Sequence, residues 1–190
     1  MLSYVLESLE ELPLETAVIV VGHKGEWVTR TMQESLYKRS PEFVEQRVQR
    51  GTGDATMVGL VGLADDDDDE GDVLVLPGDT PLLRSETMKS LVEHHRRTGA
   101  AATVLTAVVE DPPGYGRVVR VPDGQVERIV EHRDATEEER AIDEVNTSIY
   151  CFRRSLLSPA LRRIEPDNSQ GEYYLTDVVG VLVGAGHRVE

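Results

Sequence analysis

Cysteine is nearly missing from this chain: Cys151 is the only one among 190 residues. A single thiol excludes an internal disulfide and any multi-cysteine metal centre. It lies in the apolar run NTSIYCF, which reads as a strand, so an inert core thiol is expected there. Aromatic residues are scarce at 5%, and 20 basic residues face 35 acidic ones for a formal net charge of −15. So acidic a chain offers no broad cationic face for nucleic acid. A small phosphate-bearing ligand remains compatible, because it needs local donors and not a positive surface. Long apolar runs are absent as well. No stretch approaches the roughly 20 residues of a membrane helix, and the start has no basic segment leading into a short apolar core. The expectation is a cytoplasmic protein that binds neither membrane nor nucleic acid.

What is present suits one α/β domain, with 39% hydrophobic residues in a chain long enough to bury a core. Leu2, Val5, Leu6 and Leu9 mark one face of a first helix, stopped by Pro13. TAVIVVGH is a continuous β-branched run suited to a strand covered on both sides. Then come a helix over GEWVTRTMQESL, a short strand at PEFVEQ, and a glycine-rich corner entering a helix at GTGDATMVGLVGLA. ADDDDDEGD, residues 64–72, holds like charges and no core residue, so it reads as a solvated loop; cation chelation is its other reading. DVLVLPGD is a buried strand, SETMKSLVEHHRRTG a helix capped by Ser85 and closed by Gly99, and AATVLTAVV a further strand.

This alternation predicts a mostly parallel sheet with right-handed crossovers. After Asp111 the texture changes to a hairpin turning at Asp123-Gly124, a charged stretch and the strand NTSIYCF. A doubly wound domain ordinarily opens on a central strand leading into a phosphate-binding loop. Here a helix comes first, so either the fold is unusual or that strand and loop are missing.

Several residues could carry chemistry. VLVLPGDTPLL ends a buried strand in Gly78-Asp79, where an open parallel sheet places its ligands. The Asp79 carboxylate suits Mg²⁺ there, or else caps the turn at Thr80-Pro81. Gly51 and Gly53 flank Thr52 at a strand-to-helix junction, giving either free backbone N–H donors or an ordinary tight turn. In DPPGYGRVVR, Tyr115 and Arg117 offer an aromatic face and a cation, unless the segment is only a rigid entry to the hairpin. Glu131 in IVEHRDAT and Asn146 in EVNTSIY are polar residues at the edges of apolar strands. A carboxylate or amide can hold two sugar hydroxyls at once, and either residue can equally be a satisfied structural group. Tyr173 and Tyr174 in NSQGEYYLTD read first as packing residues.

Taken in order, GDTPLL, DPPGYGR, IVEHRDAT with EVNTSIY, and QGEYYLTDVV resemble the uridyltransferase domain of the bifunctional N-acetylglucosamine-1-phosphate uridyltransferases, in the sugar-nucleotidyltransferase family. The resemblance runs from about Val18 to the last residue. It implies a Rossmann-like α/β sandwich with an inserted β-rich sugar-binding region. Residues 1–110 would be the nucleotide-binding part and residues 111–190 the sugar-binding part. It further implies that Gln46, Gly51 and Thr52 recognise uracil, that Pro77 and Gly78 lie beside the nucleotide, and that Asp79 is one Mg²⁺ ligand. Gly116, Glu131 and Asn146 would contact the N-acetylglucosamine moiety. The implied reaction joins UTP to N-acetylglucosamine 1-phosphate, giving UDP-N-acetylglucosamine, a cell-wall precursor, and pyrophosphate. A related transferase with another sugar or base, or a non-catalytic sugar-nucleotide-binding module, are the rival readings.

The family's first strand and phosphate loop, with its Arg and Lys, do not precede Met1, and a second metal ligand, an Asn, lies beyond the last residue. The acetyltransferase half, through which the parent enzymes trimerise, is not in the chain. The expectation is an internal piece of such an enzyme, without uridyltransferase turnover of its own.

Overall fold

The computed structural model describes residues 1–33, 41–63 and 71–190. The acidic run at 65–70 and the end of the helix expected over GEWVTRTMQESL lie outside them. In chain order the elements are α1 (Leu2–Leu9), β1 (Val18–Val21), α2 (Gly25–Gln33), β2 (Glu42–Glu45), α3 (Thr52–Val61), β3 (Asp72–Val75) and α4 (Ser85–Thr98). There follow β4 (Ala102–Val108), β5 (Arg117–Arg120), β6 (Val126–Val130), α5 (Glu137–Arg140), β7 (Glu144–Arg153), α6 (Arg154–Leu161) and α7 (Asp177–Gly184).

β1 and β2 pair in parallel, Val18 opposite Glu42 and Val21 opposite Glu45. The second sheet is organised around β7. β3 lies along one edge of it and β4 along the other, both antiparallel, with Val73 and Ala102 each opposite Phe152. β3 and β4 therefore point the same way, as a strand–helix–strand unit should, but they do not touch. Among the described strands, direct parallel pairing is confined to β1 and β2 and one bridge between Ala102 and Val189. The mostly parallel sheet expected from the alternation is thus corrected in its pairing. The cause is β7, which enters between β3 and β4 and runs antiparallel to both, so the two parallel strands are never direct neighbours.

The hairpin turns as expected at Asp123-Gly124, with the Gly124 N–H donating to the Val121 carbonyl and the Val121 N–H to Gln125. Gly99 takes the left-handed conformation, φ 62°, that ends α4. At the other end Arg84 occupies the N-cap position with no side-chain cap, so Ser85 is the first helical residue and not the cap.

Burial follows the pleat of β7. Tyr150 and Phe152 point into a core shared with Leu157 and Leu161 of α6 and Val178, Val179 and Leu182 of α7. Ile149 and Cys151 point to the other face, against Leu9 and Leu12 near α1 and Met88 and Leu91 of α4. Helices thus cover both faces of the central strand, which accounts for its continuous apolar run. Cys151 is fully buried, and desolvation pushes its thiol up to about 12. It is a core thiol, as expected. Buried His95 ties α4 to both flanking strands, through Thr103 Oγ1 at 2.9 Å and Asp72 Oδ1 at 3.4 Å.

Candidate functional site

β2 ends at Glu45, and the next residue continues its ladder, the Gln46 N–H donating to the Val21 carbonyl at 2.8 Å. Gln46 lines a cleft of about 350 Å³ together with Gly22, His23, Lys24 and Gly25 from the turn after β1. Its amide is not loose. Nε2 donates to the Gly51 carbonyl at 3.2 Å and to Asp54 Oδ2 at 2.7 Å. The other Asp54 oxygen accepts from Arg50 at 2.8 Å. Asp54 is 4% exposed. Sequence reading passed over it, because a carboxylate in the first turn of a helix has an ordinary electrostatic reason to be there.

The glycine-rich corner docks on the segment before α7. Gly51 has φ 107°, and a Cβ there would lie 2.5 Å from the Tyr173 carbonyl oxygen. The Gly53 N–H donates to that same oxygen at 2.8 Å, and the Tyr173 N–H to the Arg50 carbonyl at 2.8 Å. Thr52 Oγ1 accepts from the Leu175 N–H at 3.0 Å. One residue further along, the Thr176 hydroxyl donates to Glu131 Oε1 at 3.1 Å. Two hydrogen bonds through adjacent residues thus connect Thr52 to Glu131.

Glu131 and Asn146 each adjoin Gly116. The Asn146 N–H donates to the Gly116 carbonyl at 2.9 Å, and a Cβ on Gly116 would sit 3.5 Å from Glu131 Oε2. A bulge arranges this: Leu105 faces Ile149 while Thr106 faces Asn146, so Thr147 and Ser148 are extruded from the β4–β7 ladder. Ser148 takes φ 62° and its N–H donates to Asn146 Oδ1 at 3.0 Å. Asn146 Nδ2 donates to the Tyr150 hydroxyl at 2.7 Å. Among the described residues the second amide hydrogen of Asn146 has no partner. Burial pushes Glu131 above the usual carboxylate range, against the lowering effect of the Thr176 hydrogen bond. Asp177 is pushed up to about 6 by burial and by the nearby Glu131 and Asp134 charges. Burial also raises the Tyr150 phenol.

Pro77, Gly78 and Asp79 follow β3. Gly78 and Asp79 are exposed, and the turn is closed by the Thr80 hydroxyl donating to the Pro77 carbonyl at 3.2 Å. The Asp79 carboxylate has no hydrogen bond or ion pair with the described residues. No group of three His, Cys, Asp or Glu among the described residues could hold a metal ion. A cation at this rim would therefore rest on one carboxylate and on the oxygens of a ligand.

Arg117 does not supply the free cation that its neighbourhood suggested. It is 2% exposed, and its guanidinium donates to the carbonyls of Pro112, Tyr115 and Arg140. It stiffens the Pro-Pro-Gly loop, the second of the two local readings. Tyr174 is buried, with its hydroxyl accepting from Gln170, in keeping with a packing role. No helix among the described residues is long and apolar enough to cross a membrane.

Residues 1–189 match the family model described as nucleotidyl transferase. The chain is 48% identical over 189 residues to the bifunctional protein GlmU of Bacillus cytotoxicus and 47% identical to that of Bacillus cereus. Each match covers 100% of this chain and 39% of the relative, so the chain spans about two-fifths of the length of these relatives. Among solved structures, UDP-glucose pyrophosphorylase complexed with UDP-glucose superposes with a TM-score of 0.72 at 15% identity, over 97% of this chain and 75% of that one. The apo form of UDP-glucose pyrophosphorylase gives 0.67 at 15% identity, over 97% and 76%. At that identity the likeness is one of fold alone.

Proposed function

The chain belongs to the nucleotidyl transferase family, and on that premise we propose that it carries base and sugar sites for uridylyl transfer from UTP to N-acetylglucosamine 1-phosphate. The products are UDP-N-acetylglucosamine and pyrophosphate. The observation that carries this reading is the meeting of Gly116, Glu131 and Asn146, joined through Thr176 and Leu175 to Thr52. A carboxylate and an amide on residues that each adjoin Gly116 suit the hydroxyls and the acetamido group of an amino sugar. Gln46 and the Gly51–Thr52 corner would hold the uracil, with Pro77 and Gly78 beside the nucleotide. The 47–48% identity to the GlmU proteins favours N-acetylglucosamine over glucose.

In the reaction, a phosphate oxygen of the sugar 1-phosphate attacks the α-phosphorus of UTP. The bond to the β-phosphate breaks, and pyrophosphate leaves with the electron pair. The attacking oxygen is already ionised, so no general base is needed. The residues of this chain act by holding base and sugar in line. Asp79 is the residue that would hold Mg²⁺, since an exposed, uncommitted carboxylate fits a cation that takes few protein ligands and completes its shell with phosphates. Bound there, Mg²⁺ would neutralise polyphosphate charge.

The test is calorimetric titration of the purified chain with UDP-N-acetylglucosamine and UDP-glucose, with and without Mg²⁺. Binding reads the site whether or not the chain turns over. UDP-N-acetylglucosamine should bind tighter than UDP-glucose by roughly tenfold, the discrimination expected from a few dedicated hydrogen bonds. Asp79→Asn should remove the Mg²⁺ dependence. Equal affinity for the two sugars would overturn the assignment of the sugar, and no binding of either would overturn the function.

A further inference from the structure

We propose that Asp54 is a positioning residue that fixes the polarity of the Gln46 amide, so that the site selects a pyrimidine carrying an N3–H over one that lacks it. The proposal rests on the reading that Gln46 faces the base. Its ground is the donor count. An amide nitrogen has two hydrogens, and both are spent, on the Gly51 carbonyl at 3.2 Å and on Asp54 Oδ2 at 2.7 Å. A carbonyl and an ionised carboxylate can only accept. Turning the amide over would press Gln46 Oε1 against two acceptors, so its orientation is dictated by its partners.

One polar atom of the side chain is then left for a ligand, and it is an acceptor. Among the described residues nothing donates to Gln46 Oε1. Uracil and thymine present N3–H, a donor, on their pairing edge; cytosine presents a bare N3, an acceptor. Acceptor against acceptor leaves both groups unpaired on burial. The clamp is held in its turn. Arg50 takes the second Asp54 oxygen at 2.8 Å, Asp54 is 4% exposed, and it sits in the first turn of α3, where the helix dipole favours a negative charge. The charge on Asp54 thus acts on the base only through Gln46.

The experiment is equilibrium binding of UDP, CDP and N3-methyl-UDP to the purified chain, to Asp54→Asn, to Asp54→Ala and to Arg50→Ala, with melting curves as a check of folding. In the unsubstituted chain UDP should bind at least about tenfold tighter than either of the other two. Asp54→Asn supplies a donor that lets the Gln46 amide turn over, and the ratio of UDP to CDP affinity should shrink by roughly tenfold. Asp54→Ala removes the acceptor without adding a donor and should narrow the ratio in the same direction. Arg50→Ala leaves the carboxylate in place and should keep the ratio. A merely structural Asp54 would weaken all nucleotides alike. A ratio unchanged in a folded Asp54 variant, or N3-methyl-UDP binding as tightly as UDP, overturns this proposal and leaves the proposed function standing. No nucleotide binding by the unsubstituted chain overturns both.

Discussion

Thr176 donates its hydroxyl hydrogen to Glu131 across 3.1 Å, and it does so from the residue that follows Leu175, whose N–H is bound to Thr52. The Gly51–Thr52 corner and the Glu131 carboxylate therefore share one short piece of backbone ahead of α7. Displacement of either end is felt at the other, because no flexible linker separates them.

Thr176→Val keeps the shape and removes the donor. Glu131 would lose its one side-chain hydrogen-bond partner among the described residues while staying partly buried. The expected outcome is a drop of about tenfold in UDP-N-acetylglucosamine affinity, equivalent to about 1.4 kcal/mol. UDP affinity should change by less than about threefold, since the proposed base corner keeps the Leu175 bond to Thr52. Parallel titrations with the two ligands check this, and equal losses for both would contradict it.

Gly51→Ala places a methyl group where only 2.5 Å separates it from the Tyr173 carbonyl oxygen, at a φ of 107°. Both the clash and the backbone strain oppose the substitution. The corner must move off the Tyr173 segment, breaking the paired backbone bonds between Arg50, Tyr173 and Gly53. The expected cost is about 2–3 kcal/mol, or a melting temperature lower by roughly 5–10 °C. Scanning calorimetry measures it.

Some of the candidate site residues carry a local signal in the sequence. Glu131 and Asn146 interrupt apolar strands with planar polar groups, and that interruption is a local signal. What brings them together is not local. The extrusion of Thr147 and Ser148 depends on the register of β7 against β4, and a one-step slip would turn Asn146 to the other face. The antiparallel entry of β7 between β3 and β4 was hidden for the same reason: pairing partners are set by topology, not by the strand's own residues. Arg117 left two readings open because its cation is visible in the sequence, while the three carbonyls that consume it come from both sides of the hairpin. Asp54, Tyr150 and Thr176 are hydrogen-bonded to Gln46, Asn146 and Glu131, and such partners leave no pattern of their own.

Asp177 gives a pH signature. Its carboxyl titrates at about 6 in the folded chain, through burial and the Glu131 and Asp134 charges, against about 3.9 when unfolded. A raised carboxyl stabilises the fold only while protonated. Its contribution is therefore complete below pH ~4, falls as pH rises through ~4–6, and is gone above that window. Asp177→Asn holds the neutral form at every pH. The variant should match the unsubstituted chain near pH 4 and exceed it at pH 8 by on the order of 1–3 kcal/mol, or roughly 3–10 °C in melting temperature. Melting curves at the two pH values decide it; a variant less stable at pH 8 would show that the ionised form is favoured after all.

Tyr150→Phe separates packing from positioning in the proposed sugar site. The ring is 1% exposed and stacks on Phe152 with centroids 5.4 Å apart, and phenylalanine keeps both features. Only the hydroxyl that accepts from Asn146 Nδ2 is lost. Stability should fall by about 1 kcal/mol, a few degrees in melting temperature. Ligand binding should respond unevenly. Asn146 then has one hydrogen without its partner and one fewer restraint on its amide, while Ser148 still holds the oxygen side. If Asn146 meets the acetamido group, UDP-N-acetylglucosamine affinity should fall about tenfold and UDP-glucose affinity less than about threefold, narrowing the preference between them. A hydroxyl with only a packing role would leave that preference where it was, because both sugars would weaken together.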